Sequence, residues 1–326
     1  MTRESEGTAE EQFDNVRKAC KHLVGIIRQG HKVTITHGNG PQVGDILLRD
    51  ELAKNILPYM PLDVCVAESQ GMIGYMIQQS LRNELRSVGL DLEVVTVLTE
   101  TVVDAKDPAF KNPTKPIGSF CTASEAARLE KEKGWHLVNE SERGYRRTVP
   151  SPIPLSIVQG EMIRKLMDLG AIVIAAGGGG IPVTSGDDFE GVEAVIDKDL
   201  CAAVLAKVVR AEVLLILTDV EKVFLDYGKP SQRPVDRMTT QECRKFLAEG
   251  QFPVGSMGPK IESAVKFLES GGKRVIISSL EMAEEALAGR AGTTIVNAPA
   301  RKLSKRKEIQ RMRKAAKETA LQTLEL

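Results

Sequence analysis

Thr36-His37-Gly38-Asn39-Gly40-Pro41-Gln42-Val43-Gly44 is the stretch on which the reading of this chain turns. It follows an alternating, strand-like segment at 32–36 and precedes a helical pattern. Two glycines flank Asn39 at the junction. Pro41 suits a first helical turn, where its missing N–H has no intrahelical partner to lose. A glycine turn that opens a helix lets backbone N–H groups approach an anion, and the helix dipole favours that charge. The stretch reads as a cradle for phosphate or carboxylate, with an ordinary tight turn as the equal alternative. It is not a dinucleotide fingerprint, because Val43 stands where the third glycine belongs. No run ending in Gly-Lys-Ser/Thr forms a Walker A loop.

Outward from that turn, apolar β-rich runs alternate with helical ones. Strands are expected at 32–36, 92–98, 171–176, 213–217 and 274–278. Helices are expected at 10–29, 42–55, 69–88, 156–169, 199–209 and 260–270. Ile172-Val173-Ile174 and Leu214-Leu215-Ile216-Leu217 are continuously apolar, as in strands covered on both faces. Ile261, Ala264, Val265 and Leu268 fall on one helical face, which Gly271-Gly272 ends. This alternation predicts an α/β fold with a mostly parallel sheet.

Composition narrows the class. The chain has 326 residues, 42% hydrophobic and 27% charged, as in ordinary globular enzymes. Aromatics are only 4%, which argues against single-strand nucleic-acid binding by base stacking. Five scattered cysteines lack any C-x-x-C spacing and cannot all pair, which favours a reducing compartment such as the cytoplasm. No apolar run approaches the ~20 residues that span a bilayer, so no membrane partner is expected. The opening Met1-Thr2-Arg3-Glu4-Ser5-Glu6 does not read as a signal peptide.

Two regions break the rhythm. Residues 105–154 carry proline punctuation at both ends and read as a small protruding subdomain or lid, with a decorated surface loop as the alternative. The tail at 301–326 is strongly basic, with Arg301, Lys302, Lys305, Arg306 and Lys307 among its charges. It reads either as a site for an anionic partner or, preferred, as a solvated helix packing Leu303, Ile309 and Met312 on the body. The main domain is thus expected over 1–300.

Further segments resemble site material. Gly177, Gly178, Gly179 and Gly180 follow a buried strand, at the carboxyl end where open α/β sheets bind ligands. Asp197-Lys198-Asp199 opens a helix, where the lysine could meet phosphate; an N-cap with a surface ion pair is the plainer alternative. Thr218-Asp219 ends another strand and could face a nucleotide or start a turn. Lys260 stands at a helix start, where a cation costs ~0.3–1 kcal/mol unless an anion joins it. Two such lysines and two glycine cradles suit phosphoryl transfer, which needs phosphate charge positioned and neutralised. The four histidines form no triad or metal pattern. His37, the one inside a motif, is expected to be structural or to orient the turn.

Several runs together resemble carbamate kinase. Besides the turn at 36–44 they include Pro61-Leu62-Asp63-Val64-Cys65 and Glu68-Ser69-Gln70-Gly71-Met72-Ile73-Gly74-Tyr75. They continue with Asn112-Pro113-Thr114-Lys115-Pro116-Ile117-Gly118 and Gly191-Val192-Glu193-Ala194-Val195-Ile196-Asp197-Lys198-Asp199. The last is Gly250-Gln251-Phe252 with Gly255-Ser256-Met257-Gly258-Pro259-Lys260. The resemblance runs over about 10–294. It implies the amino-acid-kinase fold, an open three-layer αβα sandwich, working as a homodimer. It implies phosphoryl transfer between carbamoyl phosphate and ADP, giving ATP and carbamate, with Mg²⁺. By motif match, Gly38, Asn39 and Gly40 cradle the transferred group, with Gly177 and Gly178 beside it. Lys115 reaches it from the protruding subdomain. Lys198 and Lys260 neutralise the phosphates and Asp199 organises them. Asp219 and Met257 lie on the nucleotide side with Lys260, and no protein metal cage is expected.

The family pattern opens with a strand ending in Gly-Gly-Asn, internal to the sheet. This chain joins the pattern only at about Thr8-Ala9-Glu10-Glu11-Gln12. Buried backbone groups left unpaired cost ~1–3 kcal/mol each, against a domain stability of ~5–15 kcal/mol. Three outcomes are open: a truncated gene product, a sheet closed another way, or a ligand-binding pseudokinase. Another amino-acid kinase, acting on an acylglutamate or a nucleoside monophosphate, is the weaker enzymatic rival.

Overall fold

The computed structural model describes residues 7–140, 144–253 and 255–298. Helix α1 (Ala9–Arg28) starts at a capping box between Thr8 and Glu11, which satisfies two otherwise orphaned N–H groups. Its Cys20, Val24 and Ile27 pack against Ile73, Ile77 and Leu81 of α3 (Leu62–Ser87). Between them lie β1 (Thr34–Ile35) and α2 (Gly40–Ala53). β1 pairs in parallel with β8 (Ile172–Ile174), whose other edge carries β2 (Val94–Thr96), also parallel. All three residues of β8 are buried, because helices cover both faces.

A second sheet has the order β11 (Val213–Leu217), β15 (Arg274–Ser278), β16 (Thr293–Val296), β14 (Arg237–Thr239). Helices α6 (Lys198–Val208), α7 (Thr240–Ala248) and α8 (Met257–Glu269) belong to its half of the molecule. Their core gathers Ile261, Phe267, Leu268, Val275 and Ile277. Helix α5 (Gly160–Asp168) packs on β8 and α6, whereas α9 (Ala283–Leu287) packs on β15 and α1. Helices therefore lie on both sides of mostly parallel strands, the αβα arrangement expected from the alternation.

A smaller sheet, β10 (Phe189–Gly191), β9 (Ile181–Ser185), β3 (Glu100–Val102), β7 (Ser156–Ile157), closes one side, and β12 (Val223–Leu225) pairs with β13 (Arg233–Val235) as a hairpin. Here two expectations are corrected. Ser156 and Ile157 are strand rather than helix, because β3 offers them an antiparallel partner, and α5 begins only at Gly160. Helix α3 begins at Leu62 rather than at 69, with Ser69 buried in mid-helix, its hydroxyl donating to Val66 O.

Within 105–154, β4 (Lys115–Cys121), β6 (Tyr145–Val149) and β5 (His136–Asn139) form their own antiparallel sheet, with α4 (Ala123–Lys133) packed on it. Its root meets α2 backbone to backbone: a Cβ on Gly44 would lie 1.9 Å from Gly118 Cα. Only glycine permits that approach. Residues 301–326 lie outside the described residues.

The two large sheets do not join. Thr218 N–H donates to Ser278 O, so the backbone groups of Leu214, Ile216 and Thr218 face β15 and those of Val213, Leu215 and Leu217 face away. Ala175 N–H donates to Ile35 O, so Thr34 and Thr36 turn their backbone groups away from β8. Both free edges line one cavity of about 1160 Å³. Among the described residues no strand lies between them, and the sheet does not close by another pairing.

Candidate active site

The turn at residues 36–44 leaves β1 and enters α2 as its spacing suggests, with Asn39 as the N-cap residue and Pro41 in the first turn. Asn39 does not cap with its side chain. It is 3% exposed and donates inward from Nδ2 to Ser69 Oγ at 2.9 Å. The N–H groups of Gly40 and Gln42 therefore have no intrahelical acceptor, and a Cβ on Gly40 would meet nothing within 4 Å. An open, positively polarised helix start results.

The second glycine run buttresses the first. Gly178 N–H donates to His37 O at 2.7 Å, so this amide supports the turn. A Cβ on Gly177 would fall 2.3 Å from His37 Nε2, and one on Gly178 would fall 2.2 Å from Asn39 Nδ2. The two loops interlock only because neither position has a side chain. Ala176, just before them, holds a left-handed φ of 53°, a strained backbone of the kind that clusters at functional sites. Its N–H donates to Thr99 Oγ1 and its carbonyl accepts from Thr36 Oγ1, which fixes that conformation. Gln70 holds Thr99 through both its amide atoms. The motif at 68–75 thus acts from behind, through Ser69 and Gln70.

Three lysines converge on the start of α6. Lys115, the first residue of β4, donates from Nζ to Asp197 Oδ2 at 2.6 Å. Lys260, in the first turn of α8, donates to Asp199 Oδ2 at 3.0 Å, and Ser263 Oγ donates to Asp199 O. Lys198 stands between the two aspartates and leans over the turn: its Nζ is 3.7 Å from the position a Gly38 Cβ would take. Asp197 also caps α6, with Oδ1 accepting from the N–H groups of Asp199 and Leu200. Burial opposes ionisation of Asp197, but the Lys115 charge and these hydrogen bonds outweigh it and hold its carboxyl below the usual aspartate range. Burial, with the Lys198 charge adding to it, lowers the His37 imidazole below its ordinary value against the opposing hydrogen bond to Gly38 O.

Not every expected residue reaches this cluster by a contact. Asp219, just past β11, is exposed and has no hydrogen bond or ion pair among the described residues. Met257 opens α8 and packs partly on the core of the second sheet. Sequence reasoning gives Ser69 no role in the site and Asp197 none beyond a helix cap. The capping pattern at Asp197 was visible, but its partner lies 82 residues away.

With this geometry in view, the similarities are specific. The chain matches the model of the amino acid kinase family over residues 4–279. It is 51% identical over 296 residues to carbamate kinase of Pyrococcus horikoshii, covering 90% of this chain and 94% of that one. Carbamate kinase from Giardia lamblia bound to citric acid superposes with a TM-score of 0.87 at 41% identity, over 91% of this chain and 95% of that one. The same Giardia enzyme bound to AMP-PNP gives a TM-score of 0.84 at 42% identity, with the same coverage.

Proposed function

Because the chain belongs to the carbamate kinases of the amino acid kinase family, we propose that it moves a phosphoryl group between carbamoyl phosphate and ADP, giving ATP and carbamate. The observation that carries this reading is the convergence of Lys115, Lys198 and Lys260 at the start of α6, beside the glycine turn at 38–40 that opens α2. Phosphoryl transfer asks little covalent chemistry of the protein; it asks that phosphate oxygens be held in line and their charge offset. Each lysine can do so from a different element. Lys115 reaches in from the small sheet, Lys198 stands over the glycine turn, and Lys260 comes from α8.

In this scheme the turn at 38–40 receives the transferred group, with Gly177 and Gly178 holding the turn in shape. Asp199 keeps Lys260 in place. Asp219 and Met257 lie toward the nucleotide; a relative with AMP-PNP bound supports a nucleotide substrate. Magnesium fits as part of the nucleotide. Among the described residues no three His, Cys, Asp or Glu side chains gather as a cage, and Mg²⁺ commonly takes one or two carboxylates plus phosphate oxygens. Asp219, an exposed carboxylate with no partner among the described residues, would hold it; when bound, the ion would offset phosphate charge. A reducing, cytoplasmic setting suits a chain whose five cysteines are all free thiols, and a homodimer is what the resemblance to the family implies.

The test is formation of ATP from ADP and carbamoyl phosphate, followed by a coupled assay on purified, folded protein. Turnover that is lost in Lys198→Ala supports the reading. Folded protein that binds nucleotide but makes no ATP points to a ligand-binding pseudokinase, and preference for an acylglutamate or a nucleoside monophosphate points to another amino-acid kinase.

A further inference from the structure

We propose that Asp197 is the positioning residue for Lys115, and that it couples the small antiparallel sheet to the start of α6. The proposal rests on the phosphotransfer reading above.

Lys115 enters from the root of the small sheet, and a lysine side chain carries ~2 kcal/mol of rotamer entropy when unrestrained. Something must hold it if its ammonium is to meet substrate in one place. Asp197 is the group that does so, at 2.6 Å, with both side chains partly shielded from water. Its other oxygen is fixed by two backbone N–H groups of α6. The carboxylate therefore cannot swing with the lysine; the lysine must come to it. The root of the sheet is held to the same segment by two further contacts. Val195 N–H donates to Pro150 O, one residue past β6, and Ile117, Val149 and Val195 share one buried cluster.

The pairing leaves Lys115 competent to bind an anion. An ammonium has three donors, and Asp197 takes one. The remaining two are free to turn toward a phosphate beside Lys198, the neighbour of Asp197 in the chain. Asp197 thus acts through Lys115 and is itself turned away from substrate by its three hydrogen bonds.

Asp197→Asn and Asp197→Ser separate this role from helix capping, because Asn and Ser cap about as well as Asp but carry no charge. Each is compared with Lys115→Ala and with the two double variants, measuring kcat and KM for carbamoyl phosphate and the unfolding midpoint. The expected result is a 10- to 100-fold fall in kcat/KM for Asp197→Asn, the scale at which misplaced groups cost rate, with the unfolding midpoint little changed. On the Lys115→Ala background the same substitution should change kcat/KM by less than threefold, since its target is gone. The proposal is overturned if both Asp197 variants stay within twofold of wild type, or if their effects multiply with that of Lys115→Ala. A loss of kcat/KM matched by loss of folding in both Asp197 variants also overturns it, assigning the residue to the helix alone. If wild-type protein makes no ATP, the phosphotransfer reading falls and takes this inference with it; an active wild type with indifferent variants sinks only the inference.

Discussion

Lys260 Nζ lies 3.0 Å from Asp199 Oδ2, and the two side chains are 11% and 10% exposed. Removing one member of such a pair leaves the other charge buried without compensation, which costs ~3–5 kcal/mol. Lys260→Met should therefore lose that much stability in urea titration as well as its ATP formation. Loss of activity with an unchanged urea midpoint would show that Asp199 finds solvent once its partner is removed.

Gly178 has φ 65° and sits where a Cβ would fall 2.2 Å from Asn39 Nδ2. Gly178→Ala should displace Asn39 from Ser69 and cost ~1–3 kcal/mol through backbone strain alone. Its kinetic mark should be a raised KM for carbamoyl phosphate, because the open turn is deformed. Gly40→Ala, where space is open, should be much milder in stability. Equal destabilisation of both variants in the same denaturant series would contradict the interlocked-loop account.

His37 titrates below its ordinary value of about 6.5 in the folded chain. The unfolded chain therefore takes up this proton first as pH falls. The His37 contribution is fully present above about pH 6.5 and is lost progressively as pH falls toward the lower folded value. His37→Gln should flatten the wild-type decline in unfolding free energy between pH 7.5 and pH 5.5. The depressed Asp197 carboxyl acts in the same direction but at lower pH, below about 3.9, so the two are separable in one titration. Parallel curves for wild type and His37→Gln would refute the assignment.

Burial pushes the Cys20, Cys65, Cys201 and Cys243 thiols up to about 12, and Cys121 alone is not buried. Thiolate is the reactive form. An aromatic disulfide reagent should label Cys121 first in native protein, with the other four following only on unfolding. Mass mapping of the labelled peptides checks the order.

The free edge of β11 makes a residue-level prediction for hydrogen exchange. Leu214 and Ile216 amides face β15, whereas those of Leu215 and Leu217 face the cavity. The latter should exchange earlier by orders of magnitude, since they lack a backbone acceptor. Uniform protection along 213–217 would mean that another strand pairs with this edge in solution.

Much of this architecture was legible in the sequence. Val213–Leu217 and Arg274–Ser278 match their expected bounds because apolar runs mark them, but only the second is buried on both faces. In the first, Leu214 and Ile216 are buried while Val213, Leu215 and Leu217 are half-buried, contrary to the expectation of cover on both sides. The turn at Asn39 and the lysines at 198 and 260 were legible because glycines and misplaced cations at helix starts break ordinary rules. Short edge strands such as Ser156–Ile157 were not: two residues carry no period, and only their partner makes them strand. Nor could spacing reveal that Asn39 turns inward to Ser69, or that Gly178 supports His37 by donating its amide. Those roles depend on contacts between segments far apart in the chain. Asp197 shows the limit best. Its local reading as a cap was sound, and its second oxygen answered to a lysine that local pattern cannot see.

The cavity between Thr34 and Leu215 has a mechanical meaning. Among the described residues, no backbone ladder ties the half of the molecule bearing the Asn39 turn to the half bearing Lys260. The halves are clasped instead by helix contacts and by the ionic knot at the start of α6. A rocking of one against the other would leave every strand pairing intact while changing the distance between their cations. If the lysines grip the substrate as proposed, such a rocking would alter that grip without breaking a single backbone ladder, and because Lys260 and Asp199 are largely buried salt would screen their pairing little.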